Sequence, residues 1–317
     1  MRRSSSGINC LLAIDKPLGL SSHDVVGRVR RILGERRVGH AGTLDPAASG
    51  VLVIGVGQAT RLLDMLTLDD KRYDASIAFG CETATDDAEG EVVREAEVPA
   101  RLAEPAVAGA VVASLVGPCE QTPPAYSAIS VDGRRAYDRA RAGEEVVLPA
   151  RHVVVHEATL VGVREGERLV WDCSFHVSKG TYIRSIARDL GRSMGTAAHL
   201  CALRRTASGP IGLDACVTLE ELEATGASDV MAHAIDPAAA LGLSTHELTD
   251  YERDAAAVGR RFGCRRVVDA NGGERQPHEG EHICLVRDGL LRGVWELRDG
   301  HMACVSNFPE GIGGVVR

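Results

Sequence analysis

Aromatic side chains are scarce in this chain: five Tyr, four Phe and two Trp make up 3% of its 317 residues. Each Tyr, Trp and Phe is therefore worth locating. The chain also lacks any C-x-x-C pair. Its nine cysteines (Cys10, Cys81, Cys119, Cys173, Cys201, Cys216, Cys264, Cys284 and Cys304) are odd in number and widely spaced. That is the pattern of reduced thiols, not of a disulfide framework or a redox dithiol. His278, His282, Cys284, His301 and Cys304 crowd the tail, but their spacings follow no common zinc pattern, so no metal is expected. No apolar run approaches the ~18 residues of a membrane span. No apolar stretch after Met1-Arg2-Arg3 makes a signal peptide. A cytoplasmic protein without a membrane partner is expected. An excess of positive charge is missing as well: 36 Lys and Arg stand against 44 Asp and Glu, a net charge of −8. This argues against a sequence-blind nucleic-acid binder, which is basic overall. A local basic face stays open, because charge acts over only about 8–10 Å in salt.

What is present is a core-forming chain, 44% hydrophobic, of a length that suits one large domain and a smaller one. Ile8 to Ile14 reads as an apolar strand, turned by Asp15-Lys16-Pro17-Leu18-Gly19. Ser21 or Ser22 can cap the next helix, whose apolar face is Val25, Val26, Val29, Ile32 and Leu33. Its other side carries Arg28, Arg30, Arg31, Arg36 and Arg37. Over residues 28–37, five Arg minus one Glu give a local +4, either a solvated face or a set of phosphate contacts. Gly39 to Gly50 reads as a loop, Val51 to Val56 as a buried strand, and Ala59 to Leu66 as a short helix. Tyr73 to Phe79 alternates as a half-buried strand. Residues 81–90 read as an acidic loop and 101–116 as a helix. Two β-type runs, 152–163 and 168–178, precede an amphipathic helix over 183–194. From about residue 245, short apolar runs and Gly-rich turns predict a small β-barrel. Strands and helices without a regular βαβ rhythm predict an α+β fold.

Three segments carry chemistry. In Gly39-His40-Ala41-Gly42-Thr43-Leu44-Asp45-Pro46-Ala47-Ala48-Ser49-Gly50 a carboxylate sits in a tight turn stiffened by Pro46. An Asp-Pro pair is either a plain turn or, here, a fixed nucleophile or base. In Ser178-Lys179-Gly180-Thr181-Tyr182-Ile183-Arg184 a helix begins, with Arg184 either a surface residue or the partner of a carboxylate. In Lys71-Arg72-Tyr73-Asp74, Tyr73 is either a core ring or a stacking platform for a base.

Together these segments resemble the bacterial TruB-type tRNA pseudouridine synthases. The resemblance begins at Ile14-Asp15-Lys16-Pro17-Leu18-Gly19-Leu20-Ser21-Ser22. It runs through the Gly39–Gly50 segment, Lys71-Arg72-Tyr73, Tyr126-Ser127-Ala128, Gly133-Arg134-Arg135-Ala136-Tyr137 and Ser178 to Arg184. It ends near His199-Leu200 and Leu203-Arg204-Arg205, covering roughly residues 8–220. It implies Asp45 as catalytic nucleophile, Arg184 as its ion-pair partner and Tyr73 stacked on the target base. It further implies His40 filling the gap left by a flipped nucleotide, Tyr182 lining the uracil pocket, Leu203 at the base edge and Lys16 in support. A thumb-like loop over the RNA would fall near 121–150, where Arg134, Arg135, Arg139 and Arg141 lie. The implied fold is the pseudouridine synthase fold, α+β, with a mixed, mainly antiparallel central sheet flanked by helices and loops. The implied domains are residues 1–240 for catalysis and 245–317 for a small PUA-like RNA-binding barrel.

The implied reaction isomerises uridine to pseudouridine at position 55, in the T-loop of tRNA, and needs no cofactor. Whether Asp45 attacks C1′ or C6, or promotes a glycal route, stays open. The expected partner is the tRNA T-arm, with no protein partner required and the chain acting as a monomer. Two other readings are an RNA-binding tRNA-folding chaperone and a guide-RNA-dependent relative.

Overall fold

The computed structural model describes residues 6–316 except 128–129, 132–133, 142–143 and 145–147, with the backbone alone at 130–131, 134–135, 138 and 140–141. The chain forms two compact units. One comprises Met1–Pro46, Gly50–Asp69 and Ala207–Arg317; the other comprises Ala47–Ser49 and Asp70–Thr206.

In the first unit, β1 (Cys10–Lys16) is an almost unbroken apolar run and is buried along nearly its whole length. Such a strand needs cover on both faces. It pairs antiparallel with β3 (Ala48–Val56), in register from Cys10 opposite Val56 to Lys16 opposite Gly50. On its other side it runs parallel to Cys216–Val217. Helix α1 (Ser22–Leu33) starts at Ser21, whose side chain accepts from Asp24 N while Asp24 reaches back, and ends at left-handed Gly34. It buries Val25, Val26, Val29 and Leu33. β2 (Val38–Ala41) then pairs antiparallel with β3, His40 opposite Ile54.

The same unit holds a six-stranded C-terminal sheet in the order Glu274–Arg275, Val267–Val268, Ser244–Glu247, His282–Arg287, Leu290–Arg298, His301–Ile312. Its inner side is not a separate core. Leu11, Ala13, Val51 and Val53 pack in one cluster with Cys284, Leu291, Val294, Phe308 and Ile312. At roughly 1.5–3 kcal/mol per large apolar side chain buried, this joint is a main source of the unit's stability. A second cluster, with Phe262, Ile283, Trp295 and Met302, fills the far side.

In the second unit, strands run in the order Ala198–Ser208, β4 (Lys71–Phe79), Val170–Val177, Arg151–Arg164 and β7 (Gly117–Gln121). From β4 to β7 every pairing is antiparallel. β4 alternates buried and open residues at its start, as its sequence predicts. A hairpin of β5 (Cys81–Thr83) and β6 (Val92–Glu95) follows β4. The helix Ile183–Ser193 buries Ile183, Ile186, Ala187 and Leu190. The architecture is thus α+β, with mixed strand pairing.

Three expectations need correction. The Gly39–Gly50 loop is shorter than its turn residues suggest: β2 extends to Ala41 and β3 begins at Ala48, because the backbone groups of 38–41 are satisfied by β3. The segment Ala59–Leu66 is a 3-10 turn, Gly57–Leu62, followed by one helical turn, Leu63–Leu66. The acidic segment 81–90 is a loop only in part: it opens with a strand, Cys81–Thr83, and its Glu82, Asp86 and Asp87 are buried, a placement that requires cationic partners.

Candidate active site

The turn that carries Asp45 is clamped from both sides. Leu44 N donates to Ser22 Oγ at 2.8 Å, and Ser22 Oγ donates to Leu44 O at 2.9 Å. On the other flank Gly19 N donates to Pro46 O at 2.9 Å. The turn holding Gly19 is itself braced: the fully buried Lys16 donates from Nζ to Pro17 O (2.8 Å) and Leu20 O (2.6 Å). Lys16 thus braces the backbone of this turn. Gly42 and Gly50 close the turn with φ of 82° and 102°, conformations that side chains resist. Asp45 is half-buried between its two fixed neighbours, and His40 is half-buried on β2. A carboxylate so placed is pre-oriented.

The Ser21-Ser22 pair divides its labour. Ser21 caps α1, whereas Ser22 anchors the Asp45 turn, a role its sequence context does not reveal. Along α1 and the following loop, Arg28, Arg31, Arg36 and Arg37 are exposed. Arg30 is spent internally, donating from Nη2 to Val38 O at 2.8 Å. Beside them Glu35 is buried; burial opposes its ionisation, but bonds from Arg37 N, Ser6 N and Ser6 Oγ hold it below the usual carboxylate range.

The second unit holds the remaining candidates. Tyr73 is buried on β4, opposite Phe175 of the neighbouring strand. Tyr182 precedes the helix Ile183–Ser193 and is held by the Gln121 amide, which accepts from Tyr182 N (2.8 Å) and donates to Tyr182 O (3.1 Å). The Arg151 guanidinium lies 5.7 Å from the Tyr182 ring centre. Leu203 is half-buried on Ala198–Ser208. Arg184 is buried; it donates to Thr85 O (2.9 Å) and Tyr126 O (3.0 Å) and lies 3.4 Å from Asp87 Oδ2.

Two further arginines follow at helical spacing. Arg188 meets Asp86 at 2.8 Å, and Arg192 meets Glu82 at 2.7 Å. Three arginines four residues apart thus face three buried acids of the 82–87 segment. Glu82 is held below the ordinary range, chiefly by the Arg192 hydrogen bond. Asp86 is raised by burial, against the pull of Arg188 and Arg184. The 184/188/192 spacing, set against acids at 82, 86 and 87, is the signal that a pairwise search of the sequence would find.

Of the thumb arginines, Arg139 pairs with Glu144 at 2.8 Å. The side chains of Arg134, Arg135 and Arg141 lie outside the described residues. Among the described residues no group of His, Cys, Asp and Glu is arranged to hold a metal, and no helix is long and apolar enough to cross a membrane.

Known proteins are similar to this chain in sequence and in fold. Residues 30–183 match the model of the TruB family pseudouridylate synthase N-terminal domain. Residues 184–241 match that of the tRNA pseudouridylate synthase B C-terminal domain. The chain is 51% identical over 295 residues to the tRNA pseudouridine synthase B of Thermobifida fusca (strain YX), covering 92% of this chain and 95% of that protein. It is 47% identical to the protein of the same name from Corynebacterium aurimucosum, covering 79% of this chain and 83% of the other. In fold it is similar to a chain of an H/ACA RNP bound to a substrate RNA containing 2′-deoxyuridine (TM-score 0.66, 22% identity, 95% of this chain and 85% of that one). A chain of the archaeal box H/ACA sRNP Nop10-Cbf5 complex gives a TM-score of 0.65 at 22% identity, covering 95% and 86%. Sequence and fold together define a pseudouridylate synthase. The chain belongs to the TruB family of these enzymes.

Proposed function

We propose that this enzyme converts a uridine of tRNA, at position 55 in the T-loop, to pseudouridine, with Asp45 as nucleophile. The observation that carries the reading is the two-sided clamp on the Asp45 turn, by Ser22 at Leu44 and by Gly19 at Pro46. The relatives' name, tRNA pseudouridine synthase B, supports tRNA as substrate.

The reaction breaks the N1–C1′ bond and forms a C5–C1′ bond; C5 loses a proton and N1 gains one. Nothing is oxidised, so the reaction needs no redox cofactor. The target base is flipped out first, at a cost of a few kcal/mol. His40 fills the vacated stack, and Tyr73 and Tyr182 bracket the extruded uracil with Leu203 at its edge. Asp45 then attacks C1′ or C6, or assists elimination, while the Arg184 guanidinium keeps the carboxylate ionised and aimed. The detached uracil turns within the pocket before C5 rejoins the sugar. The exposed arginines of residues 28–37 and those of 134–141 contact phosphates. Residues 245–317 act as a PUA-like RNA-binding domain on a catalytic domain of residues 1–240. The enzyme works in the cytoplasm as a monomer.

The test is pseudouridine formation by the purified chain on an unmodified tRNA transcript, with mapping of the modified position. Product at the T-loop uridine with the full chain, and none with Asp45→Asn that still binds the transcript, is expected. Turnover by Asp45→Asn overturns the nucleophile, and product elsewhere overturns the target. Binding and refolding of tRNA without product would favour a chaperone.

A further inference from the structure

We infer that Arg188 is a positioning residue for the reaction: it fixes the two backbone segments that hold the Arg184 guanidinium. The inference rests on the proposed role of Arg184.

Arg184 is oriented largely by carbonyls that belong to irregular chain, Thr85 O at 2.9 Å and Tyr126 O at 3.0 Å. Such acceptors are only as fixed as the segments that carry them. One turn along the helix, Arg188 ties down both segments. Its Nη1 donates to Asp86 Oδ2 at 2.8 Å, next to Thr85. Its Nη2 donates to Thr122 O at 2.9 Å, four residues before Tyr126. Ser185 Oγ donates to the same Thr122 carbonyl at 2.9 Å. The two arginines thus form parallel rungs across the same pair of segments.

Asp86 needs such a partner on two counts. It is buried, and its backbone is left-handed, with φ of 60°. For a residue other than glycine that conformation is unfavourable and persists only when neighbours enforce it. Asp86 O also accepts from Leu200 N at 3.1 Å, and Thr83 Oγ1 donates to Asp87 O at 2.6 Å. Without Arg188, Asp86 becomes a buried acid that still attracts Arg184. It then draws that guanidinium away from its own acceptors. Lysine cannot replace Arg188 fully, since one ammonium cannot span Asp86 and Thr122 in the planar geometry of a fork.

The experiment uses the full chain and an unmodified tRNA transcript. Single-turnover rate and Kd are measured for Arg188→Gln, Arg188→Lys, Arg184→Lys and the double variant Arg184→Lys/Arg188→Gln. Displacement of a reacting group by about 1 Å is worth roughly 100-fold. Arg188→Gln is therefore expected to slow the single turnover 10- to 100-fold, with Kd changed less than about threefold; Arg188→Lys falls between it and the unmodified chain. Because Arg188 acts through Arg184, adding Arg188→Gln to Arg184→Lys costs less than about threefold more. An unchanged rate in Arg188→Gln, or an equal loss in both backgrounds, overturns the inference. If Arg188→Gln does not fold by circular dichroism, Arg188→Lys decides: a slowed turnover at unchanged Kd supports the inference and an unchanged one overturns it. Full activity of Arg184→Lys is a separate failure: it removes the role of Arg184 and the inference with it.

Discussion

Ser22 and Leu44 share a reciprocal bond: the same hydroxyl accepts from the Leu44 amide at 2.8 Å and donates to the Leu44 carbonyl at 2.9 Å. The hydroxyl is buried, so neither backbone group finds water if it is removed. Ser22→Ala should cost about 1–3 kcal/mol of stability. It should lower the single-turnover rate by roughly 10-fold or more, because Asp45 follows Leu44 directly. Thermal melting and rapid-quench assays check the two effects. Ser21→Ala, which loses only a helix cap, should cost about 1 kcal/mol with the rate at saturating RNA unchanged.

Asp45→Asn should abolish product, a loss of at least ~10⁴-fold if the carboxylate is the nucleophile. Filter binding of tRNA should stay within a few-fold. Arg184→Lys should lower kcat more than it raises KM, because a point charge does not reproduce the planar guanidinium.

The exposed arginines of α1 and its following loop give a salt prediction. Replacing Arg28, Arg31 and Arg36 by Ser should weaken tRNA binding. It should also reduce the slope of log K against log salt by about one for each phosphate no longer neutralised. The rate at saturating RNA should hold. Arg30→Ser should behave differently, lowering the melting temperature through the broken bond to Val38 O.

In the C-terminal sheet, Arg275 holds Glu281 down to about 2, aided by His278 N and Ser244 and opposed by burial. A carboxylate depressed in the folded state stabilises above its unfolded pKa and loses that contribution as pH falls through the folded value. Glu281→Gln should therefore be less stable than the unmodified chain at pH 7, by about 1–2 kcal/mol given solvent around Arg275. The gap should narrow between about pH 4.5 and 2. Denaturant titrations across that range test it.

Much of this was legible in the sequence where one period dominates. The apolar run of β1, the helical face of α1 and the alternation opening β4 each have a single solution. The Asp45 turn was legible through Gly42, Pro46 and Gly50, which leave the chain few paths. The short β2 was not, since four residues carry no period and their pairing comes from β3. The buried acids are hidden from the sequence for a related reason. Residues 82, 86 and 87 look solvated until arginines 100 or so residues later are brought to them, and composition cannot encode that distance. The dual use of Ser21 and Ser22 is a matter of side-chain direction, which adjacent identical residues do not reveal.

The shared core of the first unit carries a consequence for how the chain comes into being. Asn9 O accepts from Gly313 N at 2.9 Å, and Asn9 Nδ2 donates to Glu310 at 3.1 Å. Leu11 shares its cluster with Phe308 and Ile312. During synthesis the opening strand must wait for some 301 further residues to emerge before its last neighbours exist. Long-range closures of this kind are slow and leave sticky surface on display meanwhile. Truncated products and stalled nascent chains should then be prime clients for chaperones and proteases.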